Sequence, residues 1–332
     1  MSVENIRNKL FVTESPHIRS KNTTSVIMLD VVIALMPTLI AGVVIFGFRA
    51  AMLAAVCILT AVLSEFAWCK IVKKQNTIRD FSAVVTGLLL ALNLPVTMPY
   101  WMAITGTLFA IIIVKQFFGG LGHNFMNPAL AGRAFLLTSW AKPMTTWVAP
   151  FSKAPLFGSV DAVSSATPLA IMENGAELPS YIDMMLGRVG GCIGEVSTIA
   201  ILIGAAYLVV RRVIDLKVPL VYLATFSVLI FVFGGKDGLF TGDILYHLLA
   251  GGIALGAFFM ATDYTTTPYT PKGKLIFGIG CGVLTAVIRM WGGYPEGVSY
   301  SILLMNAATP LIDRFTVPRP FGVVKDRKGG QA

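Results

Sequence analysis

Charge is scarce in this sequence: of 332 residues, only 13% are Asp, Glu, Lys or Arg, about half of the roughly 25% that a soluble domain carries. So few charges cannot cover a water-facing surface, which excludes an ordinary soluble globule. Histidine is scarcer still. His17, His123 and His247 are far apart and none sits in a nucleophile motif, so a hydrolase triad is not expected. The four cysteines, Cys57, Cys69, Cys192 and Cys281, lie inside apolar segments without a C-x-x-C pair. They are expected to be membrane-core residues, neither metal ligands nor disulfides. No G-x-G-x-x-G opens a helix after a strand, and Walker and H-E-x-x-H patterns are missing. No catalytic residue and no metal site of the chain's own is therefore expected. The first 25 residues, MSVENIRNKLFVTESPHIRSKNTTS, lack a continuous apolar run, so the first spanning helix is expected to direct insertion.

What is abundant is apolar surface, with 55% of residues hydrophobic. A bilayer needs about 20 such residues in a helix. Clear runs occupy 26–48, 50–69, 101–118, 192–210, 218–233 and 275–291. Shorter or polar-interrupted ones occupy 81–98, 127–140, 244–262 and 298–312. Interrupted segments suit helices facing a protein interior or a cavity. The fold class is thus an all-α polytopic membrane protein of about ten transmembrane helices.

The formal charge of +9 would raise the question of nucleic acid in a soluble chain. Here the basic residues cluster between apolar runs, as cytoplasmic loop charges do, so membrane lipid and not nucleic acid is the expected surrounding. Arg7, Lys9, Arg19 and Lys21 precede the first span; Lys70, Lys73, Lys74 and Arg79 follow the second. Arg211, Arg212 and Lys217, then Lys272 and Lys274, then Arg314, Arg319, Lys325, Arg327 and Lys328 complete the set. Ten spans with both termini cytoplasmic put every cluster inside. The expected organisation is an amino-terminal arm (1–25), a first five-helix unit (26–140), an external loop (141–191), a second five-helix unit (192–313) and a cytoplasmic tail (314–332).

Small-residue landmarks recur in the same order in the two halves. Gly42 pairs with Gly204, Gly87 with Gly251, Pro99-Tyr100 with Pro268-Tyr269, Gly119-Gly120 with Gly292-Gly293, and Asn127 with Asn306. Five spans per half, an odd number, make the second copy inverted, an arrangement that often frames a midplane site at helix breaks. The stretches GGLGHNFMNPALAGRAF (119–135) and GGYPEGVSYSILLMNAATPLID (292–313) are the candidate breaks. Asn124, Asn127, Arg133 and Asn306 could hydrogen-bond a ligand there, or the small residues could simply permit tight helix packing. Among acids in or near spans, Asp30, Asp243 and Asp263 fall near span ends, where snorkelling or capping is expected. Glu65 and Glu195 are deeper and are the candidates for a transport or proton role.

One polar stretch, DAVSSATPLA at 161–170, lies in the external loop. Thr167 followed by Pro168 reads as a helix start. A phosphate ester on that hydroxyl would sit near unpaired backbone N–H groups. The alternative is a capped surface helix and nothing more.

The pattern D-x-x-S-x-A-T, here Asp161, Ser164, Ala166 and Thr167, resembles the recognition motif of flavin transferases that attach FMN through its phosphate to Thr. SPHIRS with the following TT, MLDVVIALMPTLIAG, FMNPALAGRAF, ATDYTTTP and IRMWGGYPEGVSY extend the resemblance over nearly the whole chain. Together they resemble the family of the sodium-translocating NADH:quinone reductase B subunit and the Rnf-complex D subunit, the SPHIRS start being closer to the latter. The motif more often has Gly where Ser165 stands, and Ser is small enough to be expected there. The resemblance implies a urea-transporter-like fold of two inverted five-helix repeats, and FMN held covalently on Thr167. It also implies a second, noncovalent flavin, riboflavin, for which Asn124, Asn127, Arg133 and Asn306 are the candidate cradle. The implied setting is a bacterial or archaeal cytoplasmic-membrane complex moving electrons between ferredoxin and NAD while translocating sodium ions or protons. Its partners would be flavin and iron–sulfur subunits and, during maturation, a flavin transferase. A solute channel of the same fold without redox activity is the alternative.

Overall fold

The computed structural model describes residues 23–74, 77–152, 156, 165–173, 177–235, 238–292 and 296–318. All regular structure among them is helical. Helix α1 (Thr24–Phe46) is capped by Thr23, whose hydroxyl accepts from the Val26 amide at 3.4 Å. It ends at Gly47, and α2 (Phe48–Ile71) begins at the very next residue. A one-residue reversal needs a left-handed backbone, and Gly47 has φ +81° with open space where a Cβ would stand.

Helix α3 (Ser82–Leu92) stops short, with Pro95 and Pro99 following. The chain then re-enters as α4 (Tyr100–Gln116), whose second half, Phe109–Gln116, widens to π winding. α5 (Pro128–Ser139), started by Asn127 and by Pro128 at the first position, and the short α6 (Ala141–Met144) complete the first half. The intervening loop carries α7 (Pro168–Glu173) and α8 (Tyr181–Leu186). The second half has α9 (Thr198–Val210), α10 (Lys217–Phe233), α11 (Ile244–Leu249) and α12 (Ile253–Leu255), the last running on with π winding over Gly256–Met260. It closes with α13 (Pro271–Trp291) and α14 (Val298–Thr316).

By length and composition, α1, α2 and α13 can each cross a bilayer; α3, α4, α9 and α10 are shorter apolar helices. Large apolar side chains stand outward along the long helices, among them Ile40, Val44, Leu59, Leu63 and Val228. Such a surface would aggregate in water and suits hydrocarbon. The four cysteines are buried.

Close approach through glycine sets the packing. A Cβ on Gly204 of α9 would fall 2.0 Å from the Ala34 carbonyl oxygen of α1, and one on Gly42 of α1 would fall 2.7 Å from the Ile193 carbonyl just before α9. In α13, Gly278 and Gly282 lie four apart and face the backbone of α10 at Val218 and Tyr222, while Gly280 faces the Met305 side chain of α14. That small-x-x-x-small spacing lets two helix backbones touch where lipid offers no hydrophobic drive.

The broken helices are completed from elsewhere in the chain. The Gly194 amide donates to the Leu92 carbonyl at 2.8 Å, the Ile193 amide to the Leu94 carbonyl at 3.1 Å, and the Cys192 thiol to the Asn93 carbonyl at 3.2 Å. At the end of α12, Asn127 Nδ2 donates to the Met260 carbonyl at 3.5 Å.

The glycine contacts generate a test. Gly282→Ala sets a methyl against α10 backbone and is expected to cost about 1–3 kcal/mol. Gly280→Ala meets only a flexible methionine and is expected to be near neutral. Thermal unfolding in detergent compares them, and equal melting would contradict the packing.

Candidate functional site

Thr167 is fixed by its neighbours on both sides. Before it, the Ser165 amide donates to the Trp147 carbonyl at 3.0 Å. After it, the Tyr246 hydroxyl of α11 donates to the Pro168 carbonyl at 2.9 Å. Leu169 is buried in a small separate core with Met184, Tyr246 and Ala250. The Tyr181 hydroxyl of α8 donates to Asp243 at 2.5 Å, and that bond pushes the phenol up from its ordinary value. A loop of few regular residues is thereby pinned onto α11, and Thr167 has a defined place. Its hydroxyl oxygen accepts from the Ala170 amide at 3.3 Å, as a helix cap does. α7 is only six residues long, so its dipole contributes little to an anion held there.

Thr167 lies on the wall of a cavity of about 320 Å³. Two aromatic residues, Trp147 and Tyr300, share the wall, as do Met144, Leu137 and, from α5 and the start of α14, Arg133, Glu296 and Ser299. Arg133 is 5% exposed. Its Nη1 donates to Ser299 Oγ at 2.7 Å. Its Nη2 is bonded to Glu296, and lies 3.6 Å from Glu195 Oε1 and 3.7 Å from Cys192 Sγ. Its Nε has no partner among the described residues. The cluster joins α5 of the first half to α14 and the segment before α9 in the second.

The four residues expected to cradle a second flavin do not surround one space. Arg133 belongs to the Thr167 cavity. Asn124 and Asn127 line a different one of about 80 Å³, together with Lys115, Ser82 and Asp263. That volume holds a handful of waters and is too small for a three-ring flavin. Asn127 caps α5, accepting from the Ala129 amide at 3.0 Å and the Leu130 amide at 3.3 Å. Asn306 is buried; with its amide oriented to satisfy both ends, it accepts from the Asn127 amide at 3.1 Å and donates to the Thr266 carbonyl at 3.3 Å. Asparagine at these breaks therefore completes backbone, and Asn124, whose Oδ1 lacks a partner among the described residues, is the one with capacity to spare. Of the transferase motif, Ser165 and Ala166 line the Thr167 cavity; Asp161 and Ser164 lie outside the described residues.

Both deep acids are buried and both have a cation. Glu195 has Arg133. Glu65 pairs with Lys115 at 2.7 Å, and Lys115 also donates to Ser82 Oγ at 2.6 Å, while the Thr77 hydroxyl donates to Glu65. Lys115 is not among the residues expected from the sequence, although an ionisable residue inside an apolar run is a signal in itself. Asp30 in α1 accepts from Tyr207 at 2.9 Å and pairs with Arg211 at 3.1 Å, a contact at the end of α9 in keeping with its expected span-end position. Trp147, Tyr300 and Glu296 are likewise not among the expected residues, though Glu296 and Tyr300 fall in the Gly-rich break at 292–313.

Similarity to known proteins extends over nearly the whole chain. The model of the NQR2, RnfD, RnfE family matches residues 11–322. The D subunit of the Na(+)-translocating ferredoxin:NAD(+) oxidoreductase complex of Acetobacterium woodii is 49% identical over 97% of this chain and 98% of that protein. The D subunit of the proton-translocating ferredoxin:NAD(+) oxidoreductase complex of Clostridium ljungdahlii is 46% identical over 97% of this chain and 99% of that protein. The D subunit of an ion-translocating oxidoreductase complex of Stutzerimonas stutzeri is 38% identical over 89% of this chain and 91% of that protein.

The buried pair on α2 and α4 generates a prediction. Lys115→Met strands the Glu65 carboxylate and is expected to cost about 3–5 kcal/mol. Adding Glu65→Leu is expected to recover most of that loss. A double variant that melts no higher in detergent than Lys115→Met would contradict the pairing.

Proposed function

The chain belongs to the NQR2, RnfD, RnfE family, and from that premise we propose that it is the D-type subunit of an ion-translocating ferredoxin:NAD oxidoreductase, carrying FMN as a phosphoester on Thr167. It is a membrane protein and a subunit of an ion-translocating oxidoreductase complex. The observation that carries the flavin reading is the position of Thr167 on the wall of the larger cavity, which it shares with aromatic side chains and a buried cation. The cavity suits a flat conjugated ring bearing an anionic tether, because Trp147 and Tyr300 line it with aromatic side chains and Arg133 lines it with a cation.

FMN, when bound, supplies one- and two-electron redox chemistry. The chain's own residues do the rest. Thr167 fixes the tether. Tyr246 and Leu169 hold that anchor against α11, so that a group on Thr167 keeps one position relative to neighbouring redox centres. Asp161 and Ser164 would be read by the transferase during maturation. Thr167 Oγ1 would remain an acceptor for the Ala170 amide as an ester oxygen, so attachment need not cost the local helix its cap.

Ten spans in two inverted halves, with the Thr167 loop outside and both termini inside, are part of the same proposal. The glycine contacts of α1 with α9 and with the segment before it support it, as do the breaks after α3 and α12, one capped by the segment before α9 and the other by Asn127. Electrons would pass between the Thr167 group and flavin or iron–sulfur subunits alongside, coupled to sodium or proton movement. The residues expected for a noncovalent riboflavin do not form a pocket of flavin size, and no step is assigned to it.

Thr167→Val should abolish in-gel flavin fluorescence of the denatured chain while leaving its insertion and helical circular dichroism unchanged. A band that still fluoresced would place the attachment elsewhere. The rival solute channel predicts a colourless wild-type chain with no fluorescent band.

A further inference from the structure

Among the described residues that line the Thr167 cavity, Arg133 carries the only positive charge. A guanidinium placed only to join α5 to α14 could satisfy itself through Ser299 and Glu296. This one also has Glu195 and Cys192 beside Nη2. It lines the same cavity as Thr167. Glu195 and Glu296 each hold it from one side, which fixes the planar group and balances its charge. Glu296 lines the cavity too, so a carboxylate and a guanidinium both stand within reach of whatever occupies it.

We propose that Arg133 is the positioning residue for the group borne by Thr167: its guanidinium holds the anionic part of that group, and Glu296, bonded to it on the same wall, offsets its charge. This rests on the reading of Thr167 as a flavin tether. A cation in the cavity that would take the ring favours the ring's electron-rich state even when its contact is to the tether, and a carboxylate there disfavours that state; inside a low-dielectric cavity neither effect is screened away. The two side chains should therefore move the redox equilibrium in opposite directions.

The test uses the full-length chain co-produced with its flavin transferase and purified in detergent, as wild type, Arg133→Gln, Arg133→Lys and Glu296→Gln. In-gel fluorescence establishes covalent flavin in each, and a spectroelectrochemical titration gives its midpoint potential. Arg133→Gln should disfavour reduction by about tenfold, about 30 mV for a two-electron couple. Arg133→Lys should restore most of the loss, and Glu296→Gln should shift the potential the other way. Should Arg133→Gln leave too little folded protein, Glu296→Gln decides alone, since a role confined to helix packing predicts no rise. Fluorescent variants whose potentials are unchanged, or that shift in the same direction, overturn the proposal. A wild-type chain with no fluorescent band overturns instead the flavin reading on which it rests.

Discussion

Away from water, a helix that stops must find partners for its last carbonyls, and the rest of this structure follows from that requirement. α3 ends at Leu92 because Pro95 and Pro99 cannot continue it. The carbonyls left open are met by the amides of Ile193 and Gly194 and by the Cys192 thiol. Gly194 is needed because a Cβ there would sit 2.6 Å from Leu92. That docking carries the next residue, Glu195, to Arg133 of α5. The site beside Thr167 is thus a consequence of how one half of the chain completes a broken helix of the other.

The same requirement explains why charge is sparse and where it is kept. Glu65 with Lys115, and Glu195 with Glu296 and Arg133, are buried and paired. An unpaired charge in this setting costs several kcal/mol, so each partner holds the other in place. The two clusters differ in one respect. Lys115, committed to Glu65 and Ser82, lines a cavity of about 80 Å³, whereas Arg133 lines one of about 320 Å³. A buried pair beside so small a space builds a core; a charged wall on the larger one leaves room for a ligand.

Much of this is legible in the sequence. Long apolar runs put helices at 26–48, 50–69 and 275–291, close to where α1, α2 and α13 stand, because the length and composition of a spanning helix are tightly constrained. The interrupted runs at 81–98 and 244–262 are also legible as broken helices, since proline and glycine act locally. The role of Asn127 is only half legible. Asn before Pro at a helix start signals a cap, yet its second bond, to the Met260 carbonyl, depends on a contact between distant segments. Arg133 is grouped with the wrong neighbours for the same reason: sequence proximity sets it beside Asn124 and Asn127, and the turn of α5 points it to the other cavity. Trp147 carries no local signal, and Tyr300 only its place in the Gly-rich stretch at 292–313, because an aromatic residue at the wall of a cavity looks in sequence like one in a core.

The central claim is that Thr167 bears FMN. Mass spectrometry of the peptide containing Thr167, from the chain purified out of its native membrane, tests it most directly. The account predicts that this peptide carries the added mass of FMN less one water, with fragmentation placing the addition on Thr167. An unmodified peptide, or the same addition on another residue, would contradict it.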